Sequence, residues 1–504
     1  MGFLHGIETL EIDSGLRPIR LADFSTIGVV GTAPNAAGAT AATLTVGTAA
    51  ANNLITLTAA SAGGGGNAVS FQLVDPGAAN AALDVDVTGS AITVTLATDA
   101  GGAVTSTAAG LITAINADVA ASALVAATGG AGNGGGAAKR MLAARNLSGG
   151  ADEPFPLNTP VLISGRRIEA AGLGDTGTLP EAIDAIFDQV GARVVVVRVA
   201  EGGDAAGTLA NIIGGVDAGG NNLGVQAFLD AKALAKVTPR ILIAPGFSQN
   251  TAVVSELVGI ADRLRAVVIA DGPNTTDAEA ITFREQFGSQ RILVVDPWVK
   301  VFDTALQTEV AAPPSARVAG VIARTDQDKG FWWSPSNQLI GGITGTARPV
   351  SFGLSDPTCR ANLLNENAVT TVVQESGFRI WGNRSTTPDA LWTFLSVRRT
   401  ADVIEDSIEA AHLWAMDRPF SAQLIRDIRD GVAAFLRRME ALGAILGGTV
   451  WIDEELNTEA TLKGGQLYLD YDFEPPAPLE RLTFRAHRNG DYYEDLVAQV
   501  VSAS

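Results

Sequence analysis

A chain of 504 residues with 47% apolar and 18% charged residues has room for about three domains and enough apolar sequence to bury sizeable cores. Its net charge of −19 argues against a general nucleic-acid binder, which needs a basic footprint to neutralise phosphates. A lone cysteine, Cys359, excludes a disulfide framework or thiolate metal cluster within one chain, and His5, His412 and His487 lie far apart.

In chain order, residues 7–13 roughly alternate apolar and polar side chains, as an extended strand with one buried face would. No basic, long-apolar leader precedes them, and the longest apolar runs, such as 194–197, are too short to span a bilayer. A strand over 25–34 follows. Between Arg20 and Lys139 stand 118 residues without a Lys or Arg, mostly Ala, Gly, Thr and Val. Within that gap 54–58, 68–74, 83–87 and 92–96 read as strands, separated by glycine turns, and 108–120 as one helix. Asp84 and Asp86 share a strand face, but no calcium-loop pattern surrounds them. The pattern implies a core domain opened near its start to accept a second one.

From about 157 to 348, apolar runs at 160–163, 193–199, 240–243, 265–269 and 291–295 alternate with helical patterns, one of them over 180–190. Such alternation implies a mainly parallel sheet covered on both faces. The last segment, from about 350, reads as α+β: helices over 402–416 and 422–446, with Ser421 as the N-cap of the second, then strands at 448–452, 466–473 and 482–486. Residues 495–502 are again β-branched and extended in character. Apolar strands at both termini need partners, within the chain or in a neighbour.

No motif in the chain adds up to an active site. Gly172-Leu-Gly-Asp-Thr-Gly177 matches a dinucleotide string, yet the nearest strand ends near Ile163, so the glycines miss the strand-to-helix turn that cradles pyrophosphate. No Walker loop or nucleophile elbow occurs. The acid pairs Asp326/Asp328 and Glu454/Glu455 read as solvated turns, and His412, near Trp414, as a packing residue. Aromatic and Arg-rich sequence does stand out at 331–337 and 378–384. Trp and Arg anchor interfaces, and they equally cap a chain's own core.

The joint order of Gly15-Leu-Arg-Pro-Ile-Arg20, Thr26-Ile-Gly-Val-Val-Gly-Thr-Ala-Pro34, Phe155-Pro-Leu-Asn-Thr-Pro-Val-Leu-Ile163, Val194-Val-Val-Val-Arg-Val199, Lys329-Gly-Phe-Trp-Trp-Ser-Pro-Ser-Asn337, Leu364-Asn-Glu-Asn367, Gly377-Phe-Arg-Ile-Trp-Gly-Asn-Arg384 and Ser396-Val-Arg-Arg-Thr400 resembles contractile phage tail sheath proteins. The likeness spans nearly everything outside the gap, whose insert is similar to small strand-rich modules of phage tail proteins. It implies a subtilisin-like α/β core, here 21–35 and 152–349, an inserted β-rich outer domain at 36–151, and a C-terminal α+β domain at 350–490. Arms at 1–20 and 491–504 complete the division. It implies no enzyme, cofactor, metal or catalytic residue, no nucleic-acid partner and no membrane insertion. The expected partners are further copies of the chain in stacked hexameric rings, a tail tube protein, and baseplate and terminator proteins. The expected location is a virion tail assembled in the host cytoplasm, where contraction drives the tube through the host envelope.

The same resemblance implies that the arms add strands to neighbouring subunits, through Glu8, Leu10 and Ile12 at one end and Leu496, Val497, Val500 and Val501 at the other. It also implies tube binding by the C-terminal domain through charge, for which Arg426, Arg429 and Arg437 are the candidates; an ordinary solvated helix face gives the same pattern. Two rivals come from other classes: an α/β hydrolase or nucleotide-dependent enzyme with a decorative β-domain, and a surface-layer or adhesin protein.

Overall fold

The computed structural model describes residues 18–130, 136–138 and 142–502. Its centre is an eight-stranded sheet of β1 (Ile27–Thr32), β2 (Val161–Ser164), β3 (Arg193–Val199), β4 (Ile241–Ile243), β5 (Val267–Asp271), β6 (Ile292–Val295), β7 (Val369–Gln374) and β8 (Phe378–Trp381). The spatial order is β8-β7-β6-β5-β4-β1-β3-β2. The six inner strands run parallel, and the edge strands β2 and β8 pair antiparallel.

Parallel sheets are covered on both faces, so their strands are apolar at successive positions. Against this one pack α1 (Thr178–Phe187), α2 (Thr251–Leu264) and α3 (Ser315–Asp328). In β3, Val194 and Val196 enter one core with Ile183 and Ile186 of α1 and Val318 and Ile322 of α3. Val195 and Val197 enter the other, with Val253 and Leu257 of α2. Each fully buried side chain of this size stabilises the fold by roughly 1.5–3 kcal/mol, so the sheet is the rigid frame to which the other parts attach. This agrees with the sequence reading of a mainly parallel, doubly covered sheet.

Between β1 and β2 the chain builds a separate unit. Thr43–Val46, Ile55–Ala59 and Val125–Gly129 form a three-stranded sheet; Ser70–Val74, Asp84–Thr88, Ala91–Thr95 and Leu142–Asn146 form a four-stranded one. Leu57, Phe71, Leu73, Ile92, Leu111 and Ile115 are buried between them, in a core that shares no residue with those of the central sheet. The two connections run side by side: Thr40 N–H donates to Ala151 O at 2.9 Å and Ala151 N–H to Thr40 O at 3.1 Å. The helix expected over 108–120 is two helices, Ala108–Ala117 and Val119–Leu124. Asp118 is extended between them, and its carboxylate accepts from Ala121 N–H at 2.8 Å, capping the second.

The sheet continues past residue 349. β7 and β8 come from residues that the sequence reading gave to the C-terminal domain, so the expected boundary falls inside the α/β body. Beyond them, α4 (Leu395–Ala411) and α5 (Ala422–Ala441) pack Val403, Ile404, Val432, Phe435 and Met439 against Ile19 and Phe331. As expected, Ser421 caps α5, its Oγ accepting from Leu424 N–H at 3.0 Å. Val450–Ile452 and Leu469–Tyr471 form a two-stranded sheet. Residues 482–486, expected as a strand, carry no regular structure and are exposed.

The final segment is α6 (Tyr492–Ser502), a helix where the sequence reading expected an extended segment. Its large apolar residues fall at 492, 493, 496, 497, 500 and 501, a helical spacing that the β-branched pair Val500-Val501 masks.

Candidate functional site

Glu8, Leu10 and Ile12 lie outside the described residues, as does His5. Leu496, Val497, Val500 and Val501 stand on α6, each more than half exposed. Arg426 and Arg437 are exposed on α5, and Arg429 is half-buried. They occupy a face separate from the buried row Leu424, Val432, Phe435 and Met439. Local contacts already engage two of them: Arg426 Nε donates to Ala422 O at 3.1 Å, and Arg429 pairs with Asp430 at 2.7 Å.

The two aromatic motifs meet. After α3 the chain turns at Gly330, where φ is +110° and a Cβ would stand 2.4 Å from the Trp332 ring, so only glycine fits. Phe331 packs edge-on against Trp332 and tilted against Phe24, which anchors the loop in the C-terminal core. Residues 337–340 then run along β8: Asn337 N–H donates to Ile380 O, Ile380 N–H to Gln338 O and Ile340 N–H to Phe378 O. The edge of the sheet is thereby closed. Gly382, at φ +134°, turns the chain off β8, where a Cβ would press on Thr370. Trp332, Trp333, Trp381, Arg379 and Arg384 line a groove of about 1170 Å³, one wall of which is the segment 476–480.

The sequence reading missed a charged joint beneath the sheet. Arg240, Arg265 and Arg291 each stand one or two residues before a parallel strand, and α4 presents Asp402, Glu405, Asp406 and Glu409 to them. Arg291 donates to both oxygens of Asp402, at 2.7 and 3.0 Å, and Arg398 donates to the same carboxylate at 2.8 Å; all three residues are buried. Arg265 reaches Asp406 at 2.7 Å and Glu409 at 2.6 Å; although burial opposes it, the two carboxylates hold its guanidinium more firmly charged than usual. Asp326, expected in a solvated turn, is a buried member of α3 and binds Arg399, whose NH1 lies 2.9 Å away. Burial pushes the Asp326 carboxyl up, opposed by that guanidinium. The signal was there: an Arg before each strand, and acids at 402, 405, 406 and 409 on one helical face.

In open α/β sheets, ligands bind beyond the C-terminal ends of the strands. Here that position is filled from within. At the end of β5, Asp271 is fully buried; it accepts from Ser248 Oγ at 2.8 Å, Ser315 N–H at 2.8 Å and Ser315 Oγ at 2.9 Å, so it caps α3 from a distance. Burial pushes its carboxyl up to about 6, against the pull of these hydrogen bonds. After β6, buried Asp296 pairs with Arg348, which also donates to Asp277 at 2.8 Å. The glycine string leads into α1, whose first turn packs on β1: Thr32 N–H donates to Thr178 Oγ1 at 3.1 Å. His412 ends α4 with Nδ1 2.6 Å from Ile408 O, and His487 is exposed. Asp84, Asp86, Glu454 and Glu455 are exposed on strands and turns. Among the described residues no His, Cys, Asp and Glu set could hold a metal ion.

Three family models match: the phage tail sheath protein central domain over residues 220–386, the phage tail sheath C-terminal domain over 387–488, and the N-terminal region of domain III of the Gp18 tail sheath protein over 136–199. The tail sheath protein of Burkholderia phage BcepMu is 34% identical over 511 residues, covering 97% of this chain and 98% of its own length. The chain belongs to the phage tail sheath family. The sheath protein of Escherichia phage P2 is 39% identical over 69% of this chain but 90% of its own length. The P2 sheath protein is therefore shorter than this one by an amount close to the size of the extra unit between β1 and β2. A contracted sheath complex of an extracellular contractile injection system shares the fold, with a TM-score of 0.52 at 18% identity over 68% of this chain and 89% of its own. The protein is thus a structural sheath subunit of a contractile phage tail or a related injection system. Among the described residues, no helix is long and apolar enough to cross a membrane.

Proposed function

We propose that this subunit polymerises as stacked hexameric rings around a tail tube, and that the stack shortens on a baseplate signal to drive the tube through the host envelope. The α/β body, of subtilisin-like class, moves as a rigid unit while the arms tether neighbouring subunits. One observation carries the reading: from Arg481 to Ser502 every residue whose exposure is described is exposed, including Leu482, Phe484, Tyr492, Leu496 and Val500. Apolar side chains in that number need a cover that the lone chain does not give them.

The acceptor we favour is the two-stranded sheet Val450–Ile452/Leu469–Tyr471. Two short strands are marginal alone, and an added strand completes their edge hydrogen bonds through the backbone. For Leu496, Val497, Val500 and Val501 to join it, α6 must unwind. A lone helix of 11 residues is marginal in water, so the exchange is inexpensive. Glu8, Leu10 and Ile12 take the corresponding role at the N-terminus. The unit at 36–151 faces outward, where its bulk leaves the tube free. Arg426, Arg429 and Arg437 meet the tube weakly, as a contact that must slip requires. Baseplate and terminator proteins close the two ends, assembly takes place in the host cytoplasm, and the subunit performs no catalysis.

Negative-stain imaging of the purified chain tests this directly. Long hollow tubes, or sleeves about a thinner rod, are expected; dispersed monomers at high concentration contradict it.

A further inference from the structure

The C-terminal extension leaves the body along a proline-rich path. Pro475 is buried and Pro476 and Pro478 are half-buried, while Glu474, Ala477, Leu479 and Glu480 are exposed, so the prolines turn inward and the rest outward. A run of this composition favours the extended polyproline conformation, which is stiff and loses little entropy on docking. Its neighbours suit it, since aromatic-lined grooves are the usual seats for such segments. Trp332, Trp333 and Trp381 line the groove that the strap 476–480 walls.

The strap ends on charge. Arg384 Nε lies 3.1 Å from each Glu480 carboxylate oxygen, and its NH2 group lies 2.5 Å from one of them. Arg384 itself is fixed: its backbone bridges to Phe394, and its guanidinium lies 5.7 Å from the centre of the Phe394 ring. A rigid acceptor and a stiff strap leave the ion pair as the soft element. Its side chains are 42% and 37% exposed, and an exposed pair is screened by salt.

We propose that the tryptophan groove is a docking cradle for the proline strap 475–480, and that Arg384 and Glu480 form a releasable latch that sets where and in which direction the C-terminal arm departs. The idea rests on reading the residues after 480 as an arm. With the latch closed, the arm leaves from one point on a rigid body. With it open, the free chain begins at the buried Pro475, and the arm sweeps a larger volume. The two motifs that stand out in the sequence, 331–337 and 378–384, thereby gain a role as the walls of the cradle.

Pulsed electron-spin distance measurement on the full chain tests it, with labels at Asn362→Cys and Thr483→Cys in a Cys359→Ser background. At low salt one narrow distance is expected, broadening in high salt and in Glu480→Arg. The reciprocal swap Arg384→Glu with Glu480→Arg should return it to narrow. A distribution unchanged in Glu480→Arg, or a swap that fails to restore it while the thermal transition is normal, overturns the latch. Glu480 is exposed, so its variant folds even if Arg384→Glu does not. Negative-stain images of the unlabelled chain separate the two readings: absent tubes with the expected distances sink the sheath-arm reading and leave the latch standing.

Discussion

Two of the regions outside the central sheet differ in completeness. The unit between β1 and β2 buries Leu57, Phe71, Leu73, Ile92, Leu111 and Ile115 in its own core and presents Thr, Ala and Asp to solvent. The segment from Arg481 to Ser502 has apolar side chains in number and buries none whose exposure is described. A region that satisfies itself can be added or removed without the rest noticing. One whose apolar side chains stay exposed is shaped for a neighbour.

Perturbations of the body and of each region test that contrast. The largest expected effect lies in the body, which both regions assume to be rigid. Asp402→Ala removes the buried carboxylate that Arg291 and Arg398 share and leaves each only a more exposed partner, Asp262 and Glu405, a loss of about 3–5 kcal/mol in the denaturant stability of the full chain. A loss near zero would show that the joint beneath the sheet is slack. Phe71→Ala empties the core of the inserted unit and should cost about 3–5 kcal/mol in that unit alone. Calorimetry should then resolve a lowered transition beside an unchanged one; a single transition lowered as a whole would merge the two regions thermodynamically.

Asp271 gives a smaller effect. Its carboxyl titrates near 6 in the fold against an ordinary value of 3.8, so between those values the folded chain holds a proton that the unfolded chain has lost. Stability therefore falls as pH rises through that window, and Asp271→Asn should remove this part of the slope. An identical slope in the variant would refute the assignment. Smallest of all, Arg426→Glu with Arg437→Glu should cost less than about 1 kcal/mol per contact in tube binding and lower its salt dependence. Unchanged co-sedimentation with tube would return those residues to an ordinary solvated face.

Local pattern made much of this legible. The Val- and Ile-rich runs of β3, β5 and β6 are buried on both sides, which leaves a signature in a few consecutive residues. The alternation in 83–87 and 92–96 likewise marks strands with one buried face. What escaped depends on distance along the chain. Arg399 and Asp326 are 73 residues apart and Arg291 and Asp402 are 111 apart, so the local signal, an Arg before a strand and acids on one helix face, does not say that the two meet. β7 and β8 were given to the wrong domain for the same reason: a strand declares its type locally but its sheet only through its partners. In α6, β-branched residues pointed to a strand while the spacing of the apolar positions fits a helix, and in the isolated chain the spacing prevailed. The groove is intermediate. Its two motifs were visible, but not that they face each other.

The most direct test of the central claim is negative-stain imaging of two deletions side by side. Excising residues 38–150 removes the self-contained unit where its two connections already touch, at Thr40 and Ala151. Truncation after 480 removes the uncovered segment. The account predicts sheath tubes from the first and only folded, dispersed subunits, with an unchanged melting temperature, from the second. Tubes from the truncated chain, or none from a folded excised chain, would contradict it.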